Sequence, residues 1–180
     1  MKHRRPVRGV LSRIRLFATD VDGVLTDAGM YYTESGDEFK KFNTRDGMGI
    51  KLLQRAGLIT ALITQEETKL VARRGEKLTI PEVHQRVHDK LRTLRDIATR
   101  HGLTLGEVAY MGDDVNDLEA LKAAGFSATP ADGIPSVQRA VDYVCRRQGG
   151  EGCVREVVDM ILAAQARSTE DVWASRKGDG

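Results

Sequence analysis

Several features are scarce in this chain of 180 residues, and each scarcity excludes a class of protein. The two cysteines, Cys145 and Cys153, are too few for a disulfide framework and favour a reducing compartment. No run approaches the roughly 18 apolar residues of a membrane-spanning helix. No apolar segment follows the basic N-terminus, so we expect neither a signal peptide nor a membrane partner. The 28 basic and 26 acidic residues leave a net charge of +2, which argues against a nucleic-acid partner.

The near-neutral total conceals a basic N-terminus. Residues 1–15 carry six lysines and arginines and no acid, which leaves 22 basic and 26 acidic side chains in the remainder. We interpret residues 1–13 as a flexible basic arm, because the aromatic side chains that accompany single-stranded nucleic-acid binding are missing there. The length predicts a single domain over residues 14–166. We expect a polar, loosely ordered tail over residues 167–180, in which Trp173 could be an anchor.

Short apolar runs alternate with segments of helical periodicity along the chain. The strand candidates are residues 16–19, 58–63 and 108–111, with weaker ones at residues 83–87, 126–129 and 143–145. The helix candidates are residues 46–56, 66–78, 89–101, 115–124 and 151–165. Nearly continuous apolar strands are typical of a parallel sheet that is covered on both faces. The pattern therefore predicts an α/β fold with a doubly wound, mostly parallel, Rossmann-like sheet.

One segment interrupts this alternation. Residues 30–33 and 38–42 are rich in β-forming side chains and flank a turn that contains a glycine. We expect residues 24–42 to form a β-hairpin that protrudes between the first strand and the first long helix. Its apolar side chains, such as Met30 and Phe39, would form an edge that another chain could cover.

Polar side chains follow several predicted strands, at the edge of the sheet where α/β proteins bind ligands. They are five carboxylates, one hydroxyl and one ammonium group: Asp20, Asp22, Asp113, Asp114, Asp117, Thr64 and Lys90. Carboxylates crowded into one cleft repel each other, and a divalent cation removes that repulsion. Hard oxygen ligands without His or Cys nearby favour Mg²⁺. Such a site suits a phosphate dianion, with one carboxylate attacking phosphorus and a second transferring protons.

Each of these residues also has a plainer interpretation. An Asp-x-Asp-Gly sequence occurs in turns and in calcium loops. Thr64 could cap a helix, and Lys90 could be a solvated residue at a helix start. Asp114 and Asp117 could merely cap the helix that follows them. Context favours the functional interpretation, because an apolar strand runs directly into an acid twice and into a threonine once.

These residues belong to segments that form a specific set: residues 20–27 (DVDGVLTD), Thr64, Lys90 and residues 112–117 (GDDVND). The set resembles the four motifs of the haloacid dehalogenase-like phosphatases. Residues 41–47 (KFNTRDG) and 149–156 (GGEGCVRE) are similar to the small capless subgroup of that superfamily. The subgroup contains the 3-deoxy-D-manno-octulosonate 8-phosphate (KDO-8-phosphate) phosphatases and the 2-keto-3-deoxynononate 9-phosphate (KDN-9-phosphate) phosphatases. The resemblance extends from about residue 14 to about residue 163.

The resemblance implies roles for three aspartates. Asp20 would be the nucleophile, forming an aspartyl-phosphate, and would also bind Mg²⁺. Asp22 would be the general acid and base, and its backbone carbonyl would reach the metal. Asp113 would complete the metal shell.

The resemblance also implies roles for the remaining motif residues. Thr64 and Lys90 would hold the phosphoryl group. Asp114 and Asp117 would be supporting residues, with Asp117 beside the metal shell or Lys90. A non-catalytic oligomerisation module, like the domains appended to sialic-acid cytidylyltransferases, is the alternative from another class, and the intact motif set argues against it. A broad housekeeping phosphatase is a third possibility, because a capless site is open.

The second motif bears on the substrate. KDO-8-phosphate phosphatases typically have Thr-Gly-Arg there, whereas the KDN-9-phosphate enzymes resemble Thr-Gly-Glu followed by an Arg and a Lys. Glu66, Arg74 and Lys77 match the second pattern and slightly favour the nononate, with Arg74 and Lys77 on one helix face. An exposed charged face is the plainer interpretation of that helix. Gln65 replaces the glycine of both groups and removes backbone freedom.

The resemblance further implies an assembly and a location. Members of the subgroup form tetramers in which the hairpin packs centrally and a neighbour covers the active site. Residues 24–42 match that hairpin. Both candidate substrates belong to surface-polysaccharide precursor pathways, so we expect a cytoplasmic homotetramer that acts on a small sugar phosphate.

Overall fold

The computed structural model describes residues 7–175, so the first six residues of the predicted arm and the last five of the predicted tail lie outside it. The strands are β1 (Leu16–Thr19), β2 (Tyr31–Tyr32), β3 (Glu38–Phe39), β4 (Ile59–Ile63), β5 (Glu82–His84), β6 (Val108–Met111), β7 (Phe126–Thr129) and β8 (Tyr143–Val144). The helices are α1 (Val7–Leu11), α2 (Thr44–Arg55), α3 (Lys69–Lys77), α4 (Lys90–Arg100), α5 (Leu118–Ala123), α6 (Pro135–Ala140), α7 (Cys153–Ala164) and α8 (Thr169–Ala174).

One six-stranded sheet organises the fold. Its strand order is β5-β4-β1-β6-β7-β8, and every neighbouring pair is parallel. The first strand lies between β4 and β6, with Ala18 in register with Ala61 on one side and Tyr110 on the other. The chain therefore builds the sheet outward in both directions from β1, which places a switch point at the carboxyl end of this strand.

Helices cover both faces of the sheet. One apolar cluster joins Phe17 of β1 to α1, α2, α3, α7 and α8. The other joins Leu16 and Ala18 of the same strand to α4, α5 and α6. Successive side chains of β1 thus enter opposite cores, which explains why the strand is apolar throughout. The predicted doubly wound, parallel α/β fold is confirmed.

The predicted hairpin is also present. Strands β2 and β3 are antiparallel, with Tyr31 opposite Phe39, and a bridge between Thr26 and Phe42 closes the base. The hairpin carries large apolar side chains that are 46–65% exposed in the single chain: Met30, Tyr31, Tyr32 and Phe39.

The two ends of the described chain differ from the sequence predictions. Val10 and Leu11 lie in the predicted arm, but α1 buries them in the core. The predicted loose tail contains α8, which buries Val172. The Trp173 ring lies 3.7 Å from the Arg55 guanidinium carbon, and its carbonyl accepts a bond of 2.7 Å from the same side chain. Trp173 is therefore an anchor. Both helices escaped prediction because, at five and six residues, they are too short for a periodic signal.

Several helices begin at other residues than the sequence predicts, because caps and glycines fix where each one starts. Helix α3 begins after Thr68, whose hydroxyl accepts from the Val71 amide, rather than at residue 66 as predicted. Helix α7 begins after Gly152, because the φ of +101° at this glycine is not helical. Residues 115–117 of the predicted helix 115–124 form a 3-10 turn instead. None of the helices in the described part of the chain has the length and apolar character needed to cross a membrane.

Candidate active site

The carboxyl ends of β1, β4 and β6 open into a cavity of about 660 Å³. The loop after β1 forms its centre, at the switch point of the sheet. The walls include Asp20, Asp22, Thr64, Glu66, Asp113 and Asp114. The fold thus brings together side chains that the sequence places at the ends of three different strands.

Lys90 lies beneath this cavity. It begins α4, and its side chain is 1% exposed, so it is not the solvated lysine of the plainer interpretation. Its Nζ donates to Asp20 Oδ2 at 2.7 Å and to Asp117 Oδ1 at 2.8 Å. A lysine is rarely buried in this way unless its charge is paired, and here two carboxylates pair it.

The electrostatics of the cluster favour an additional positive charge. Burial, reinforced by the Asp117 carboxylate, raises the pKa of Asp20 to about 8 despite the nearby Lys90. Burial, together with the neighbouring carboxylates of Asp117 and Asp114, raises the pKa of Asp113 to about 7. Burial opposes the charge of Lys90 as well, but Asp20 and Asp117 outweigh it and raise the pKa of that ammonium. Lys90 alone therefore does not neutralise the three carboxylates of Asp20, Asp113 and Asp117.

The donor set fits a hard divalent cation. Carboxylate oxygens of Asp20, Asp113 and Asp117 lie within 4.8 Å of one another. All three are hard oxygen donors, which Mg²⁺ prefers. A cation between Asp20 and Asp113 would offset the burial and the carboxylate repulsion that raise both pKa values.

Asp117 is better suited to support than to ligation. Its Oδ1 accepts from Lys90 and, at 2.6 Å, from the Tyr110 hydroxyl. Its Oδ2 accepts from the backbone amides of Asp113 at 3.2 Å and Asp114 at 3.4 Å. Four donors already use the four lone-pair positions of a carboxylate. Sequence reasoning missed Tyr110, although a tyrosine in a buried strand needs a partner for its hydroxyl.

Gly23 explains how Asp113 reaches the loop after β1. A Cβ at this position would lie 2.0 Å from Asp113 Oδ2, and the backbone φ is +80°. Only glycine meets both conditions without strain. The glycine of the Asp-x-Asp-Gly motif thus permits two motif loops to touch.

Asp22 is held by a lysine that sequence reasoning missed. Lys40, which follows β3, donates to Asp22 Oδ1 at 2.6 Å and to Glu66 Oε2 at 2.9 Å. No local pattern marks this residue, because the sequence shows only one lysine of a Lys-Lys pair in a hairpin. Glu66 lies in the wall of the same cavity as Asp20.

Arg74 and Lys77 lie beside the Asp20 cavity rather than in its wall. They line a second cavity, of about 520 Å³, together with Phe42 and Leu70. The Arg74 guanidinium donates to the Asn43 carbonyl at 2.9 Å and lies 5.2 Å from the centre of the Phe42 ring. The two residues do share one surface, as their spacing predicts, but it is not the wall of the Asp20 cavity. The expectation that they face the same cavity as Glu66 is not met in the single chain.

Two of the plainer interpretations can be compared directly with the geometry. Thr64 does not cap α3, since Thr68 does, and the Thr64 hydroxyl instead accepts from the Glu66 amide at 3.3 Å beside the cavity. Asp114 does cap the 3-10 turn that follows it, because its Oδ1 accepts from the Val115 amide at 2.6 Å.

Gln65 adopts a backbone conformation that does not need glycine, since its φ is not in the left-handed region. Its side chain accepts from Asn116 Nδ2 at 3.2 Å. This bond joins the loop after β4 to the loop after β6 at the cavity wall. The substitution of glycine thus adds a bridge across the cleft rather than distorting the chain.

Comparisons with known proteins agree with this geometry. Residues 58–156 match the family described as haloacid dehalogenase-like hydrolases. The KDO-8-phosphate phosphatase of Escherichia coli K12 is 40% identical over 157 residues, which cover 87% of this chain and 84% of that protein.

Two solved structures are similar along most of the chain. One is the KDO-8-phosphate phosphatase of Moraxella catarrhalis in complex with a magnesium ion, a phosphate ion and a KDO molecule. It is 37% identical with a TM-score of 0.87, and the match covers 94% of this chain and 95% of that one. The cobalt-bound phosphatase of Haemophilus influenzae is 39% identical with a TM-score of 0.84, over 87% of this chain and 92% of that one. The chain therefore belongs to the haloacid dehalogenase-like hydrolases, as a phosphatase of the subgroup that contains the KDO-8-phosphate phosphatases.

Proposed function

We propose that this phosphatase hydrolyses KDO-8-phosphate with Mg²⁺ as its metal and Asp20 as its nucleophile. The observation that carries the proposal is the buried Asp20–Lys90–Asp117 cluster, which lies beside Asp113 at the switch point of the sheet. Such a cluster places a nucleophile, a counter-charge and a cation site next to one another at the edge of one cavity.

The side chains of this site would bind and orient the phosphate monoester. Lys90 lies behind Asp20 and keeps one of its oxygens in place through the bond of 2.7 Å. The Thr64 hydroxyl lies in the cavity wall and can donate to a phosphoryl oxygen. Asp20 and Asp113 would hold Mg²⁺, which when bound would neutralise the phosphate dianion and the attacking carboxylate as they approach.

The reaction would proceed in two displacements. A carboxylate oxygen of Asp20 attacks phosphorus, the bond from phosphorus to the sugar oxygen breaks, and Asp22 gives that oxygen a proton. A water molecule then attacks phosphorus and gives a proton to Asp22, the bond from phosphorus to the Asp20 oxygen breaks, and inorganic phosphate leaves with the Asp20 carboxylate restored. The position of Asp22, two residues after Asp20 on the wall of the same cavity, supports this division of work.

The choice of KDO-8-phosphate over KDN-9-phosphate departs from the slight preference that the second motif gives. The similar proteins described above are KDO-8-phosphate phosphatases, and one was crystallised with KDO. Within the single chain, Arg74 and Lys77 line a neighbouring cavity, which Lys40 also lines. Of the three residues that favour the nononate, only Glu66 lies in the wall of the Asp20 cavity. KDN-9-phosphate remains the competitor that an assay has to exclude.

The test is phosphate release with Mg²⁺ from KDO-8-phosphate and KDN-9-phosphate side by side, with Asp20→Asn as the blank. We expect kcat/KM to favour KDO-8-phosphate by at least tenfold, about 1.4 kcal/mol of differential transition-state binding. A preference for KDN-9-phosphate would overturn the proposed substrate and would support Glu66 as a residue that determines specificity. Full activity of Asp20→Asn would remove the nucleophile assignment, and no release from either substrate would favour a non-catalytic module.

The exposed hairpin supports an oligomer as part of this proposal. Four large apolar side chains on β2, β3 and their flanks form a surface that monomers rarely leave uncovered. We propose the homotetramer of the subgroup, with a neighbour covering the active site, in the cytoplasm where precursor sugars are made. Sedimentation equilibrium should give four times the chain mass of 19.9 kDa, whereas a monomer would overturn the assembly.

A further inference from the structure

The Lys40 side chain is almost inaccessible to solvent although it follows an exposed hairpin. It is 1% exposed, and its Nζ bridges Asp22 Oδ1 at 2.6 Å and Glu66 Oε2 at 2.9 Å. Lys40 is therefore a charged side chain that the fold holds against the Asp22 carboxylate.

The two oxygens of Asp22 have different surroundings. Oδ1 accepts from Lys40 and, at 3.4 Å, from the Thr26 hydroxyl. Oδ2 is buried and has no hydrogen-bond partner among the described residues. An unpartnered buried carboxylate oxygen is costly in a folded protein, and at a reaction centre it marks the atom that a substrate or a proton will meet.

We infer that Lys40 is a positioning residue for the proton transfers of Asp22. It fixes Oδ1, so that Oδ2 is the oxygen that delivers the proton to the sugar oxygen and accepts it from water. The inference rests on the proposed two-displacement reaction. It means that a residue that follows the hairpin strand β3 acts together with Asp22, which lies in the loop after β1.

Two physical effects support this role. The Asp22 side chain is still 27% exposed, so without a tether it could rotate toward water and away from the leaving oxygen. The ammonium also stabilises the negative charge that develops on Asp22 as its proton leaves, and it is in place before the reaction begins. Glu66, on the other side of Nζ, and the Thr26–Phe42 bridge at the hairpin base fix Lys40 in turn.

Lys40→Met, Lys40→Arg and the control Lys41→Met test the inference. Lys41 is 52% exposed and pairs with Glu151, so its substitution removes a neighbouring charge without touching Asp22. The substrates are KDO-8-phosphate and p-nitrophenyl phosphate, whose leaving group needs little protonation. Steady-state turnover is measured with Mg²⁺ on the full-length protein in its native assembly. Cleavage of the ester is measured separately, in single-turnover experiments.

We expect Lys40→Met to lower kcat on KDO-8-phosphate by about 10²-fold, with KM changed by less than about threefold. The single-turnover rate should fall at least tenfold more for KDO-8-phosphate than for p-nitrophenyl phosphate, because only the sugar oxygen depends on the acid. Lys40→Arg should recover at least tenfold of the loss, and Lys41→Met should retain wild-type kcat. In an Asp22→Asn background, Lys40→Met should add little, since the two residues act as one unit.

Three results would overturn the inference. One is an unchanged kcat in Lys40→Met, and another is a raised KM with kcat intact, which would make Lys40 a substrate-binding residue. The third is an equal loss on both substrates, which would reveal a general structural effect. If Lys40→Met does not fold, Lys40→Gln replaces it and is judged by the same comparisons. A wild-type protein inactive on both substrates would instead overturn the proposed function, so the two failures are distinguishable.

Discussion

The ammonium group of Lys90 lies 2.7 Å from a carboxylate oxygen of Asp20, and these two side chains are 1% and 8% exposed. Lys90 is the first residue of α4, whereas Asp20 directly follows β1, so the pair joins this helix to the carboxyl end of the strand. Asp117 takes a second bond from the same ammonium at 2.8 Å. The fold therefore keeps a positive charge beside the Asp20 carboxylate before any ligand binds.

Removing Lys90 should destabilise the protein as well as inactivate it. Lys90→Met leaves Asp20 and Asp117 buried without their counter-charge, and breaking a buried pair in this way costs about 3–5 kcal/mol. We expect urea unfolding without Mg²⁺ to show a loss of that order, and phosphate release to fall to the level of the Asp20→Asn blank. The exposed Lys69, at the start of α3, provides the control, since Lys69→Met should stay within about 0.5 kcal/mol of wild type. A Lys90→Met protein as stable as wild type would mean that the pair contributes no net stability.

Mg²⁺ should stabilise the wild-type protein but not the Asp113→Asn variant. A cation that binds only the folded state adds about 2.7 kcal/mol at a hundredfold excess over its Kd. Asp113→Asn removes one of the two carboxylates free to hold it, so the rise in Tm on adding Mg²⁺ should largely disappear. Asp96→Asn is the control, because Asp96 is 63% exposed on α4, lies outside the cavity wall and should leave the metal response intact. A wild-type Tm that does not respond to Mg²⁺ or that responds equally in Asp113→Asn would contradict the assigned donor set.

Glu82, in the edge strand β5, should make the free energy of unfolding depend on pH. Its side chain is 9% exposed and accepts from Arg100 at 2.7 Å, His84 at 2.8 Å and His101 at 2.9 Å. Burial alone would raise the pKa of Glu82, but these bonds outweigh it and hold the pKa below its ordinary value of 4.5. A lowered folded pKa gives stability that is fully present above the unfolded value and is lost as the pH falls through the folded value.

Glu82→Gln should therefore cost more at neutral pH than in acid. We expect about 1.5–3 kcal/mol at pH 7, the range for hydrogen bonds to a charged group, and a steadily smaller difference below about pH 4.5. Urea unfolding of both proteins across that range measures it. Glu119→Gln, at a side chain that is 73% exposed, should show little effect at any pH. A cost for Glu82→Gln that is constant with pH would show that packing rather than charge accounts for it.

The sequence predicted the sheet and the residues at its edge for a physical reason. Strands buried on both faces are continuous apolar runs, and the first polar residue after each run must lie at the carboxyl edge. Asp20, Thr64 and Asp113 follow this rule. Lys90 needed the family resemblance, since a lysine at a helix start has no local mark of burial.

What the sequence could not predict depends on contacts between distant segments. Lys40 reaches Asp22 across 18 positions of hairpin, and Tyr110 reaches Asp117 through the protein interior. The spacing of Arg74 and Lys77 correctly predicted a shared face of α3. The direction of that face depends on how α3 packs near Asn43 and Phe42, and the spacing of residues along a helix gives no information about such packing.

Gln65 should narrow the cleft and thereby select among sugar phosphates. Its Oε1 accepts from Asn116 Nδ2 at 3.2 Å, which joins two loops at the wall of the cavity. Gln65→Gly removes the bridge and the side chain, so we expect kcat/KM for KDN-9-phosphate, the longer substrate, to rise several-fold relative to KDO-8-phosphate. Asn116→Ala is the matched variant, because it breaks the same bond while Gln65 stays in place. If the bridge sets the width, both variants shift the ratio in the same direction. A shift in Gln65→Gly alone would assign selectivity to the bulk of the glutamine, and an unchanged ratio in both would remove this loop from substrate selection.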